Sequence, residues 1–79
     1  MGNMNIIGKK VITIEGMQCK HCKNSVEACL NQIDGAVAKV DLKKKTAVVS
    51  MERMIPDMLL QDKIEKLGFR VIEIELREA

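Results

Sequence analysis

The stretch Lys10-Val11-Ile12-Thr13-Ile14-Glu15-Gly16-Met17-Gln18-Cys19-Lys20-His21-Cys22 decides the fold, because its hydrophobic pattern changes period within a few residues and two thiols stand at the change. Ile12 and Ile14 fall on one side and Thr13 and Glu15 on the other, the alternation of a half-buried strand. Gly16 interrupts it. From Lys20 to Ile33 the residues Cys22, Val26, Cys29, Leu30 and Ile33 recur at helical spacing, with Lys23, Asn24, Glu27 and Gln32 on the opposite face. Cys19 therefore lies in a loop and Cys22 in or beside the first helical turn. There, unpaired N–H groups and the positive end of the helix dipole favour thiolate over thiol. Two converging thiolates suit Cu(I), which accepts a low coordination number, better than Zn(II), which wants four ligands.

Downstream, Asp34-Gly35 ends the helix, with Gly35 supplying a left-handed cap. Ala36 to Leu42 alternates, with Ala38, Val40 and Leu42 facing one way and Lys39, Asp41 and Lys43 the other. A polar turn, Lys43-Lys44-Lys45, leads into Thr46 to Met51, which completes a hairpin. A second helix fits Pro56 to Leu67: Pro suits a first turn, Asp57 complements the dipole, and Leu60, Ile64 and Leu67 form an apolar stripe. Gly68 closes it. In the last strand, Phe69 to Leu76, Phe69 and Val71 share one face while Ile72, Ile74 and Leu76 share the other, which calls for a bulge near Val71-Ile72 or for apolar surface on both faces. The order strand, helix, strand, strand, helix, strand is that of an α+β, ferredoxin-like βαββαβ domain, a four-stranded antiparallel sheet with two helices on one face.

The 79 residues make one domain, 1–79, with a core over about 10–72 and short extensions at both ends. A net charge of +2, one Phe and no Trp or Tyr leave no platform for stacking bases, so nucleic acid is excluded as a partner. No apolar run approaches the length of a membrane span, which excludes insertion, and residues 1–10 lack the apolar region of a secretory signal, which places the chain in the cytoplasm. Met1-Gly2 opens like a myristoylation site, but Ile6 stands where Ser or Thr is required. Three cysteines in such a chain read as reduced thiols. Nothing supplies a general base, an oriented nucleophile or a phosphate loop, so the chain reads as a non-enzyme.

With Gly16-Met17-x-Cys19-x-x-Cys22 after a strand, Val26-Glu27 in the helix, Asp34-Gly35, and a late Leu67-Gly68-Phe69, the sequence resembles the heavy-metal-associated domain over roughly residues 11–71. His21 between the cysteines is similar to the bacterial copper chaperones of that family. The segment after Gly35 is a residue shorter than the usual pattern, with Ala36 in place of Val. The resemblance implies a Cu(I) carrier whose ligands are Cys19 and Cys22, with Met17 turned inward to anchor the loop and Phe69 packed against the site. It implies delivery to a copper-transporting P-type ATPase or a copper-responsive repressor by thiolate exchange. It admits an amino-terminal ATPase domain or a carrier of Hg(II) or Zn(II) instead. From another class comes a thiol–disulfide redox protein, against which stand the missing Trp and a lone Pro56 that opens a helix.

Between the ligands, the His21 side chain should diverge toward solvent and tune the thiolates as it titrates. Cys29 lies two turns beyond Cys22, about 10 Å along the axis, too far to share an ion, and reads as a small buried hydrophobe. Lys20 and Lys23 offset the charge of a bis-thiolate centre or meet an acidic partner. The apo chain is expected to be monomeric and the copper-loaded chain to dimerise through Cys19, Cys22 and His21. Ile72, Ile74 and Leu76 on the last strand either add to that contact or associate without metal.

Overall fold

A computed structural model describes residues 5–78, so the Met1-Gly2 reading lies outside the described residues. The elements are β1 (Gly8–Glu15), α1 (Lys20–Asn31), β2 (Ala36–Asp41), β3 (Thr46–Met51), α2 (Asp57–Glu65) and β4 (Arg70–Glu78). They build one antiparallel sheet in the order β2-β3-β1-β4, with both helices on one face. Ile12 and Ile14 of β1, Ala38 and Val40 of β2, and Ala47, Val49 and Met51 of β3 face inward. Val26 and Leu30 of α1 and Leu60 and Ile64 of α2 close over them. Period 2 in the strands and period 3.6 in the helices meet in one core.

Element ends depart from the sequence reading for local reasons. α1 stops at Asn31 and is capped by Gln32, whose N–H donates to the Cys29 and Leu30 carbonyls, so the helix ends before Ile33. Gly35, at φ +86°, is no helix cap; it belongs to the turn that launches β2, where the Ala36 N–H bonds the Ile33 carbonyl at 3.1 Å. β2 begins at Ala36, opposite Met51, so the shortened segment costs no strand residue, and Leu42 falls in the turn. Pro56 is extended (ψ 142°) and caps α2 rather than entering it, and α2 ends at Glu65. Leu67 thus leaves the helical stripe and is 40% exposed.

In β4 the bulge falls where the pattern asks for it. Thr13 pairs with Glu73 and Ile14 with Val71, leaving Ile72 as the extra residue. The inserted residue reverses the parity of the strand. Val71 and Ile74 therefore both pack on the core, while Ile72 turns out, 57% exposed.

Two polar features bind the layers together. Lys10 is buried on the helix side of β1, where its ammonium donates to the Ile55 carbonyl at 2.6 Å and pairs with Asp57. A buried ammonium without such partners is untenable, so the pair fixes the entry of α2 against β1. Along the outer edge of the sheet, the Glu27 carboxylate accepts from the Val40 N–H at 2.8 Å. The Asn31 carboxamide accepts from the Ala38 N–H at 2.8 Å and donates to the Ala38 carbonyl at 3.3 Å. Side chains of α1 thereby occupy backbone groups that β2 would otherwise present to solvent.

Candidate functional site

The candidate site is the turn from β1 into α1. Gly16 takes φ +107°, a left-handed conformation that glycine adopts without strain, and redirects the chain. Met17 then drops its side chain into the core, 1% exposed, as the resemblance implies. The flexible thioether fills the gap under the loop and anchors it. With Met17 buried, Cys19 is left exposed in extended conformation (φ −144°, ψ 167°) at the N-cap of α1. Its sulfur does the work of a capping oxygen, accepting from the Cys22 N–H at 3.4 Å. That capping role is absent from the sequence reading, because sulfur is not among the usual capping groups.

Cys19 Sγ and Cys22 Sγ stand 3.1 Å apart, and both thiols are free. The gap is well beyond a disulfide bond of about 2.05 Å. It is also shorter than the roughly 4.6 Å spanned by two collinear metal–sulfur bonds of the zinc-thiolate length. A two-coordinate ion enters only if the sulfurs part. Cys19 is the one placed to move, since it is loop-borne whereas Cys22 is fixed in the first turn of α1.

A hydrogen bond from the Cys19 thiol lowers the pKa of Cys22 below the ordinary cysteine value, and the backbone N–H groups at Gln18, Cys19 and Cys22 add to the effect against slight desolvation. The stabilisation this gives the folded chain is complete above the ordinary thiol pKa and is lost as pH falls through the lowered one. Titration of thiolate absorbance is expected to show a component below the ordinary cysteine range. Cys22→Ser should remove that component and Cys29→Ala should leave it.

Around the thiols, Lys20 and His21 are exposed, and Lys23 reaches the Glu27 carboxylate at 3.9 Å. The Ile14 N–H bonds the Lys45 carbonyl at 2.9 Å, which brings the Lys43–Lys45 turn to the same end of the sheet as the thiols. Phe69 packs on the core and against the loop: a methyl group on Gly16 would stand 3.3 Å from Phe69 Cδ1. Gly16→Ala therefore meets both backbone strain and the ring, at a cost of about 1–3 kcal/mol. Chemical denaturation should register that loss, and an unchanged midpoint would show that the loop accommodates the methyl group. Cys29 is remote from this cluster. It lies between the helices, only half-buried and not the buried hydrophobe expected, its thiol 3.7 Å from the Lys63 carbonyl. Among the described residues no group of three His, Cys, Asp or Glu side chains is arranged to hold a metal ion. The pair thus offers two sulfur donors and no preformed third.

Known proteins share the fold. The heavy-metal-associated domain pattern matches residues 11–70. The copper chaperone CopZ of Staphylococcus aureus is 33% identical over 69 residues, 84% of this chain and all of that one. A solved CopZ metallochaperone superimposes with a TM-score of 0.76 at 35% identity, over 81% of this chain and 98% of its own. The N-terminal domain of a potential copper-translocating P-type ATPase from Bacillus subtilis, in its Cu(I)-loaded state, gives 0.71 at 31% identity, over 92% and 88% of the two chains.

Proposed function

Because the chain belongs to the heavy-metal-associated domain family, we propose that it is a Cu(I) carrier that binds one ion between Cys19 and Cys22 and gives it up by thiolate exchange. The observation that carries the reading is the pair of free sulfurs 3.1 Å apart at the start of α1, one exposed on a loop and one held as a favoured thiolate. Soft thiolates select a soft ion, and two of them satisfy Cu(I) while leaving a tetrahedral ion short of ligands. Transfer uses the asymmetry of the pair: an incoming thiolate adds to the open coordination position, Cys19 leaves first as the mobile ligand, and Cys22 follows. Charge is balanced throughout, because each arriving thiolate replaces a departing one and protons redistribute among free thiols.

The ion is cargo and no bond of a substrate is made or broken, so the reading is of a non-enzyme. The whole chain acts as one heavy-metal-associated domain working in the cytoplasm. Its recipient is a copper-transporting P-type ATPase, in keeping with the structural kinship to an ATPase domain, with a copper-responsive repressor as the other thiol-bearing acceptor. No helix among the described residues is long and apolar enough to cross a membrane. Two copper-loaded copies meeting through their loops, with His21 adjacent, would form the homotypic version of the same exchange complex.

Anaerobic Cu(I) titration against a chromophoric chelator tests the reading. Tight binding of one equivalent, and passage of that copper to a thiol-bearing acceptor domain faster than to free chelator, is expected. Weak binding together with rapid reduction of a disulfide substrate would overturn it in favour of a redox protein. Preference for Hg(II) or Zn(II) in the same competition would keep the site and replace the ion.

A further inference from the structure

The two edges of the sheet differ. At the β2 edge, Glu27 and Asn31 of α1 engage the backbone of Val40 and Ala38, so no strand can add there without breaking three hydrogen bonds. At the β4 edge, among the described residues, no side chain caps the backbone, and β4 is nine residues long. An open edge is a template for another strand unless a bulge, charge or cover blunts it. The bulge at Ile72 disturbs only the half of β4 nearest the thiols, whereas Glu73 to Glu78 run in unbroken register with β1. Leu76 lies within that regular half, opposite Lys10 and 56% exposed. α2 begins at the same end, tied there by the Lys10–Asp57 pair, and Met58 in its first turn is 81% exposed.

We propose that the regular half of β4 pairs antiparallel with β4 of a second copy of this chain, on a two-fold axis through Leu76, to give a continuous eight-stranded sheet. The charges choose this register. An axis at Leu76 sets Glu75 of each copy opposite Arg77 of the other and Leu76 against Leu76. Shifting the axis to Glu75 would set Glu73 opposite Arg77 but put Glu75 against itself on the axis, and shifting it to Ile74 would oppose Glu73 to Glu75, so only the Leu76 axis opposes unlike charges with no like pair. Directly opposed like charges destabilise a strand pair and unlike charges support it. Glu75 and Arg77 already share a face, 3.2 Å apart within the strand, so each presents to the partner a charge that is in place. A two-fold axis normal to the sheet also leaves both helix layers on one side, where Met58 of α2 adds apolar surface next to the Leu76 contact.

This association needs no copper, unlike the loop-to-loop contact. The axis is about six strand residues, or roughly 20 Å, from the thiol end of each copy. The two thiol pairs thus point away from each other at opposite ends of the assembly, and each remains free to exchange metal. The dimer and the metal reading stand on different residues and fail separately.

Sedimentation of the full apo chain under reducing conditions, at concentrations up to about 1 mM, the weak end of specific association, tests the proposal. A concentration-dependent dimer is expected, unchanged in Cys19→Ser/Cys22→Ser. Leu76→Lys and Arg77→Glu should each shift the midpoint at least about tenfold to higher concentration, and Glu75→Arg/Arg77→Glu should restore it, since exchanging the two charges recreates both opposed pairs. All three positions are exposed, and circular dichroism checks that the variants fold. A chain that stays monomeric throughout, or a dimer that ignores Arg77→Glu or is not rescued by the exchange, overturns the proposal.

Discussion

Cys22→Ser is expected to abolish stoichiometric Cu(I) binding, and Cys19→Ser to do the same, with the fold intact in both. Among the described residues no third donor stands ready to replace either sulfur, so each variant leaves a single thiolate and the effect should far exceed the about 10–100-fold that loss of an outer-shell partner costs a metal site. Cys29→Ala is the control. Its thiol faces the Lys63 carbonyl between the helices, so copper affinity should not move, while stability falls by about 1 kcal/mol through a small cavity. Competition titration of the three variants separates the cases. A Cys29 variant that loses copper, or a Cys22 variant that keeps it, would remove the assignment of the ligand pair.

The second large effect is on stability. Ile12 is fully buried at the centre of β1, flanked in the sheet by Ala47 on one side and Ile74 on the other and covered by the helices. Ile12→Ala removes buried methyl groups that no neighbour can replace, at a cost of about 2–5 kcal/mol. Small domains hold about 5–15 kcal/mol in total, so this change takes much of the reserve. For a chain of this size the melting temperature should fall by about 4–8 °C for each kcal/mol lost. Val37→Ala, at a position 42% exposed on the outer face, should change it little. If thermal unfolding gave the two substitutions similar shifts, the placement of the core on the helix side of the sheet would be wrong.

How far the sequence could be read depended on whether a residue's partners are near in the chain. β3 has the bounds its alternation predicts, and of the two ways to reconcile the parity of the last strand, a bulge or apolar surface on both faces, the chain takes the bulge, at Ile72. Gly16, Met17 and Phe69 are placed as the resemblance implies, because each answers to a turn or a core position. Helix ends were less legible: Ile33 and Leu67 keep helical spacing, yet the chain leaves each helix earlier to reach the next strand, so periodicity overruns the true end. Long-range polar contacts were not legible. Lys10 shares the parity of Ile12 and Ile14, but nothing local in the chain names its partners, Ile55 and Asp57, more than forty residues away. Glu27 reads as part of the polar face of a helix, and only the position of β2 makes it, together with Asn31, an edge cap.

The closeness of the Cys19 and Cys22 sulfurs also sets a hazard for the empty state of the proposed carrier. From 3.1 Å, about 1 Å of approach closes a disulfide, and Cys22 is already biased toward the thiolate that would attack an oxidised Cys19. An oxidised chain has no ligands to offer. Under the proposed function, the copper carried is therefore counted in reduced chains, not in total chains. A metal ion between the sulfurs holds them apart and occupies the lone pairs an oxidant needs. Under the same reading, loaded molecules would be protected by their cargo, and emptied ones would depend on thiol reductants until they are filled again.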